Sequence, residues 1–202
     1  MMLLSDHNST MNSRRLPEDI AHLPRHSVRI GCVKISTAPA VFDTVLGSCI
    51  SACLYDPKMR IGGMNHFMLP SSADLDNPVS TRYGVNAMEL LINKLMKAGA
   101  NRKNLVAKIF GGAHVLNIRE SLQGVPQLNI QFIQQFLTTE RIQITGQDIG
   151  GYQPRRILFS SHDGNVYMRL LGSTEAATTA KEEQTFLSDL SKTPDDGNST
   201  LF

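Results

Sequence analysis

The stretch AVFDTVLGSCISACLYDPKMRIGGMNHFMLP, residues 40–70, decides how the chain is read. Its first half, 40–55, is apolar and rich in β-formers, and Gly47-Ser48 interrupts it. DPKM, 56–59, is a turn signal, with Pro57 suited to the second turn position. The second half, 60–70, reads as another strand, with Gly62-Gly63 marking a bulge or a close-packing point. A two-residue loop at Pro57-Lys58 pairs Asp56 with Met59, and the same register sets Cys49 directly opposite His66. Their Cβ atoms then lie about 5 Å apart. Pro57 fits a type I turn better than the primed turns of tight hairpins, and a bulge at Gly62-Gly63 shifts the register by one.

Outward from this pair, SVRIGCVKIST (27–37) has strand chemistry, with Cys32 as a small core residue. The spacing of Val85, Met88, Leu91, Leu95 and Ala98, widened by Leu90 and Ile92, predicts a helix over 85–98 stopped by Gly99. LVAKIFGGA (105–113) reads as a buried strand, and Leu128, Phe132, Ile133 and Phe136 place a second helix near 126–138. RIQITGQDIGG and RRILFSSHDGNVYMRLL read as strands, the latter a hairpin turning at Asp163-Gly164. Strands precede, separate and follow only two helices, so the fold class is α+β: a single domain with a β-rich core and a few packed helices. Residues 1–26 read as a flexible leader, 27–171 as the domain, and 172–202 as a disordered acidic tail. From 173 onward two lysines face six acidic residues.

Composition limits the function classes. Apolar residues make up 41% of the 202, enough for a substantial core. Twenty basic and 18 acidic residues leave a net charge of +2, which argues against a nucleic-acid surface. Three cysteines suit free thiols in a reducing compartment rather than a disulfide framework. The apolar start, MMLL, is too short for a signal peptide, and no later run is long enough to span a bilayer. The expectation is a cytoplasmic protein without membrane insertion.

A thiol beside an imidazole is an acyl-transfer centre in outline. The imidazole takes the thiol proton, the thiolate attacks an acyl carbon, and the imidazolium protonates the leaving amine. Amides near Gly47–Cys49 are placed to stabilise the oxyanion. Thr44, or the more strongly accepting Asp43, is the candidate for orienting His66. The competing reading treats Cys49 as inert packing, as Cys53 more simply is. A zinc reading of Cys49, Cys53 and His66 lacks a fourth ligand nearby. His114 is read as a surface histidine, and His7, His22, His26 and His162 form no cluster. The glycine pairs 62–63, 111–112 and 150–151 lack the phosphate-loop lysine and the dinucleotide spacing.

TVLGSCISACLYDP, RIGGMNHFMLP, YGVNAMELLINKLMKAGA, KIFGGA and DIGG occur in this order. Together, over residues 28–170, they resemble the CheD family of chemoreceptor glutamine deamidases of bacterial chemotaxis. The resemblance implies conversion of glutamines of methyl-accepting chemotaxis receptors, in their cytoplasmic helical domain, to glutamate with release of ammonia. It places the nucleophile on Cys49 and the histidine on His66. A threonine that assists in some relatives stands six residues before the cysteine, where this chain has Asp43, with Thr44 one residue nearer. It implies an α+β fold like that of toxin-type glutamine deamidases, no metal or organic cofactor, and in some bacteria a CheC-like phosphatase as partner. The rival from another class is a non-catalytic chemotaxis adaptor gripping a receptor or such a phosphatase.

Overall fold

Gly47-Ser48-Cys49 is a junction between two sheets. The computed structural model describes residues 8–10, 18–69, 78–115 and 124–192. Strand β4 (Val41–Leu46) lies in a first sheet with β1 (Asn8–Thr10), β2 (Arg25–Ser27), β9 (Arg155–Ser160) and β10 (Val166–Leu170), ordered β1-β10-β9-β4-β2. Strand β5 (Ile50–Asp56) lies in a second sheet with β3 (Cys32–Ser36), β6 (Ile61–His66), β7 (Val106–Gly111) and β8 (Gln143–Ile149), ordered β3-β6-β5-β7-β8. The chain therefore changes sheets at the three residues that end on the cysteine.

Side-chain alternation sorts each strand between layers. Ile50, Ala52 and Leu54 of β5 face helices α1 (Pro78–Lys97) and α2 (Val125–Thr139), with Met88, Leu91, Leu95, Phe132 and Leu137. Cys53 faces the other way, as does Cys49 at the strand's foot, into a second core shared with Phe42, Leu46, Ile157 and Phe159 of the first sheet. The architecture is thus sheet, sheet, helices in one α+β domain, as the element pattern predicts. Val41, Leu158 and Tyr167 cover the outer face of the first sheet together with Ile20.

The β5–β6 turn differs from expectation. Asp56 pairs with Ile61 and Cys53 with Met64, so the loop is four residues, 57–60, and the register is two residues from the predicted one. Asp56 Oδ1 accepts from Lys58 N at 2.9 Å and Met59 N at 3.2 Å, and Arg60 takes a positive φ of 56° to close the loop. Pro57, with its fixed φ, suits this wider turn and not a primed one. No bulge occurs at Gly62-Gly63. A Cβ at Gly62 would meet Ser161 O at 2.7 Å, and one at Gly63 would meet Ile35 Cγ2 at 2.5 Å, so these glycines serve close packing.

Two further expectations are corrected. Cys32 is exposed: it shares a face with its partner His66, but it sits at the end of the edge strand β3, beyond the buried part of that face. The tail does not remain irregular: Ser173–Lys192 forms helix α3. Ala176, Thr179, Ala180, Glu183, Phe186 and Leu187 make its inward stripe, at three-four spacing. Composition hid this helix, because only two of those six are large and apolar. In the expected leader, β1 pairs with β10 and β2 with β4. The rest of the leader before residue 18, and the tail beyond 192, lie outside the described residues.

Candidate active site

Cys49 Sγ lies 2.8 Å from His66 Nε2. The pair is not directly opposed. His66 is the Cα partner of Cys32 on β3, and Phe67 bridges to Ile50. The contact survives the two-residue slip because a slip of two keeps every side chain on its own face. Cys49 and His66 both point into the space between the sheets.

Thr44 comes from the other sheet. Its Oγ1 lies 2.9 Å from His66 Nδ1 and donates to Val28 O at 2.7 Å. That bond uses the only hydroxyl proton, so Thr44 accepts from Nδ1–H. Val28 O, 3.2 Å from Nδ1, is an acceptor as well. Both partners therefore hold the proton on Nδ1 and leave Nε2 to accept from the thiol.

Asp43 cannot take this place. Alternation along β4 turns it to the outer face, where its carboxylate takes Arg156 at 2.9 and 2.8 Å and Arg25 Nε at 2.9 Å. Burial opposes its ionisation, but hydrogen bonds and charge from Arg156 and Arg25 outweigh that and hold its carboxyl below the ordinary range.

Glycine pairs brace the nucleophile loop. Gly112 N donates to Cys49 O at 2.7 Å and Ala113 N to Gly47 O at 2.6 Å. Gly111 has φ 115°, and a Cβ there would sit 2.1 Å from Cys49 O, so only glycine fits. Gly150 N reaches Gly111 O at 2.9 Å, His114 N reaches Gly151 O at 2.8 Å, and Arg155 binds the Gly150 and Asp148 carbonyls behind them. Asn129 of α2 donates to Ser48 O at 3.0 Å while accepting from Leu69 N at 2.9 Å.

With its carbonyls tied back, the loop turns its N–H groups to one point. Glu183 of α3 fills that point. Its Oε1 accepts from Gly47 N at 3.1 Å and Cys49 N at 3.2 Å. Its Oε2 accepts from Ser48 N at 2.9 Å and Ser48 Oγ at 2.6 Å. A Cβ on Gly47 would come within 2.9 Å of both carboxylate oxygens, so the missing side chain makes room for them.

The electrostatics describe a resting pair. Burial, then the charge of Glu183 and its hydrogen bond, push the Cys49 thiol well above its ordinary value, against the backbone N–H groups of Gly47 and Cys49. Burial pulls His66 down to about 4, against the opposing pull of Val28 O and Glu183. Thiol and imidazole are both neutral here. A thiol next to a carboxylate is a poor nucleophile until that charge leaves.

Of the residues singled out in the sequence, the structure brings together Cys49, His66 and Thr44 and leaves Asp43 outside. Cys53 is core packing, and burial raises its thiol above the ordinary value. Among the described residues, no group of three or more His, Cys, Asp or Glu side chains is placed to hold a metal. His114 is exposed and lies against Tyr152, and His162 takes the side chain of Arg60. Sequence reasoning missed Glu183, Asn129 and the Val28 carbonyl. The only signal for Glu183 was the weak stripe in α3. Among the described residues no helix is long and apolar enough to cross a membrane.

Comparison with known proteins agrees with this architecture. The family described as "CheD chemotactic sensory transduction" matches residues 68–170. A protein of Janthinobacterium sp. (strain Marseille) is 43% identical over 162 residues, 79% of each chain. One from Ruegeria sp. (strain TM1040) is 46% identical over 160 residues, 76% of this chain and 83% of its own. One from Vibrio cholerae serotype O1 (strain M66-2) is 36% identical over 179 residues, 83% of this chain and 76% of its own. All three carry the name probable chemoreceptor glutamine deamidase CheD, the Ruegeria protein as CheD 1. A chain alike over this much of its length, with these residues converging between its two sheets, belongs to the CheD family.

Proposed function

We propose that the protein is a glutamine deamidase, a protein-glutamine glutaminase that converts glutamines of chemoreceptors to glutamate and releases ammonia. The observation that carries this reading is the Cys49–His66–Thr44 relay facing the amides of residues 47–49 across one carboxylate-sized space. The names of the relatives supply the substrate class.

The steps follow from the geometry. Cys49 Sγ attacks the side-chain amide carbon while its proton passes to His66 Nε2. The oxyanion takes hydrogen bonds from Gly47 N and Cys49 N. The C–N bond breaks, His66 returns the proton to nitrogen, and ammonia leaves a thioester. Water gives a proton to His66 Nε2 and attacks the thioester carbon. The C–S bond breaks, glutamate departs, and the thiol recovers the proton from His66. Thr44 keeps the imidazole in the required tautomer throughout. The substrate would be the cytoplasmic helical domain of a methyl-accepting receptor. A CheC-like phosphatase as partner and a cytoplasmic location belong to the same reading.

Incubation with a receptor cytoplasmic fragment, followed by peptide mapping, tests the reading. Glutamate at defined glutamine positions is expected with the native chain, and none with Cys49→Ala. Stable binding of the fragment without conversion would favour the non-catalytic adaptor.

A further inference from the structure

Helix α3 closes the site from outside. Cys49 and His66 are 0% and 3% exposed, so no substrate reaches Sγ while α3 is seated. Glu183 is 1% exposed, although its neighbours Lys181, Glu182, Gln184 and Thr185 are all open to solvent. A carboxylate buried in this way is costly unless fully bonded, and here it accepts four hydrogen bonds, all from residues 47–49. The lining offers donors toward the carboxylate, which selects an acceptor rather than an apolar plug. The same amides are the ones a tetrahedral oxyanion on the substrate carbon would need.

A carboxylate at the end of two methylenes, on a helix, in the oxyanion site of an enzyme that makes glutamate from glutamine, has the chemistry of the product. We propose that α3 is a built-in product mimic: Glu183 stands where the newly formed glutamate of a substrate stands, and a substrate helix must displace α3 to be deamidated. The proposal rests on the deamidase reading and deepens it.

The displaced helix outlines its competitor. A glutamine in the place of Glu183 presents its carbonyl to Gly47 N and Cys49 N. Ser48 Oγ, which donates in the resting chain, turns to accept from the amide NH2, while Ser48 N, which donates to Glu183 Oε2, loses its acceptor, so the site holds the acid better than the amide. Four residues earlier stands Thr179, small and buried, and three residues later Phe186, packed on the core between the sheets. Beside α3 runs a cleft of about 740 Å3 that reaches His66 and Thr44. The α3 side of it carries Glu182 and Asp189, and the rest of the lining includes Arg29 and the Asp43–Arg156 ion pair. The favoured partner is therefore a helix with a glutamine, a small residue four before it, an apolar residue three after it, and acidic neighbours. Exchange of a charged carboxylate for a neutral amide also takes the negative charge away from the thiol.

The direct test converts the mimic into a substrate. Full-length Glu183→Gln places a glutamine against the amides of residues 47–49, and Gln184, exposed on the next position, is an internal control. Tandem mass spectrometry of the 182–192 peptide should find glutamate at position 183, or a whole-chain species lighter by one ammonia from an internal thioester. Gln184 should be unchanged, and both signals should vanish in Glu183→Gln with Cys49→Ala. In a second arm, iodoacetamide should alkylate Cys49 at least about tenfold faster in Glu183→Ala than in the native chain.

An introduced glutamine that stays intact in Glu183→Gln, while Glu183→Ala converts receptor glutamines under the same conditions, would overturn the product mimic and leave the deamidase standing. Equal alkylation rates would also count against it. If neither the introduced glutamine nor any receptor glutamine is converted, the deamidase reading falls and takes the inference with it.

Discussion

The two walls of the site are built differently. One wall, Thr44, His66 and the 47–49 loop, is held by two sheets, and each member's position is fixed by strand alternation or by a braced carbonyl. The other wall, α3, is a helix of which only Thr179 and Glu183 are buried among residues 173–189. Phe186 and Leu187 add partly buried contacts, and Glu183 supplies the hydrogen bonds to the loop. The contrast separates preorganisation from access. Catalytic groups gain from rigidity, whereas a cover that has to leave gains from a shallow hold.

Breaking the rigid wall at its nucleophile gives the largest effect. Cys49→Ala should lower receptor conversion by at least about 10⁴-fold, as loss of a nucleophile does elsewhere. His66→Gln should cost about 10²–10⁴-fold, because one group serves as base and acid in both half-reactions. Circular dichroism should report both variants as folded.

The frame behind that wall should fail in stability instead. Gly111→Ala forces a Cβ onto Cys49 O and a non-glycine residue to φ 115°. A loss of about 2–4 kcal/mol in denaturant unfolding is expected, with activity falling as the loop is displaced. Recovery of full stability in this variant would show that the brace is unimportant.

Thr44 sharpens the comparison within β4. Thr44→Val keeps shape and removes the nearer of the two acceptors for Nδ1–H, leaving Val28 O, so turnover should fall about 10–100-fold with little change in KM. Asp43→Asn touches only the outer-face ion pairs, which are partly solvated, and should cost about 1 kcal/mol of stability or less. The reverse ranking in turnover would return Asp43 to the site.

A separate effect is on pH dependence. His66 is held at about 4, below its ordinary 6.5. The unfolded chain therefore binds the proton first as pH falls. Its contribution to stability is intact above pH 6.5 and is lost progressively as pH falls toward 4. His66→Gln should flatten that part of the stability profile. An unchanged slope would mean that the imidazole is not buried neutral.

Much of this was readable in the chain. Strict two-residue alternation placed Cys49 and His66 on one face even with the wrong turn, since an error of two residues leaves the face unchanged. The helix stripe of Met88, Leu91 and Leu95 and the Asp163-Gly164 hairpin were equally plain, because each is set by local periodicity or turn chemistry. The exclusion of Asp43 was not readable, since it depends on which sheet faces β4 and on two arginines distant in sequence. Glu183 was hidden for a different reason. A helix held by Glu183, the Arg169–Glu175 ion pair and a few buried or partly buried side chains has the composition of a solvated tail, and tertiary contact alone reveals its inner face.

The contrast between the walls reduces to one series of rates. Glutamine-to-glutamate conversion in a receptor cytoplasmic fragment would be followed with the native chain, Cys49→Ala and Glu183→Ala side by side. No conversion is predicted with Cys49→Ala, and faster conversion than native with Glu183→Ala. Conversion that survives Cys49→Ala would contradict the cysteine mechanism at its centre.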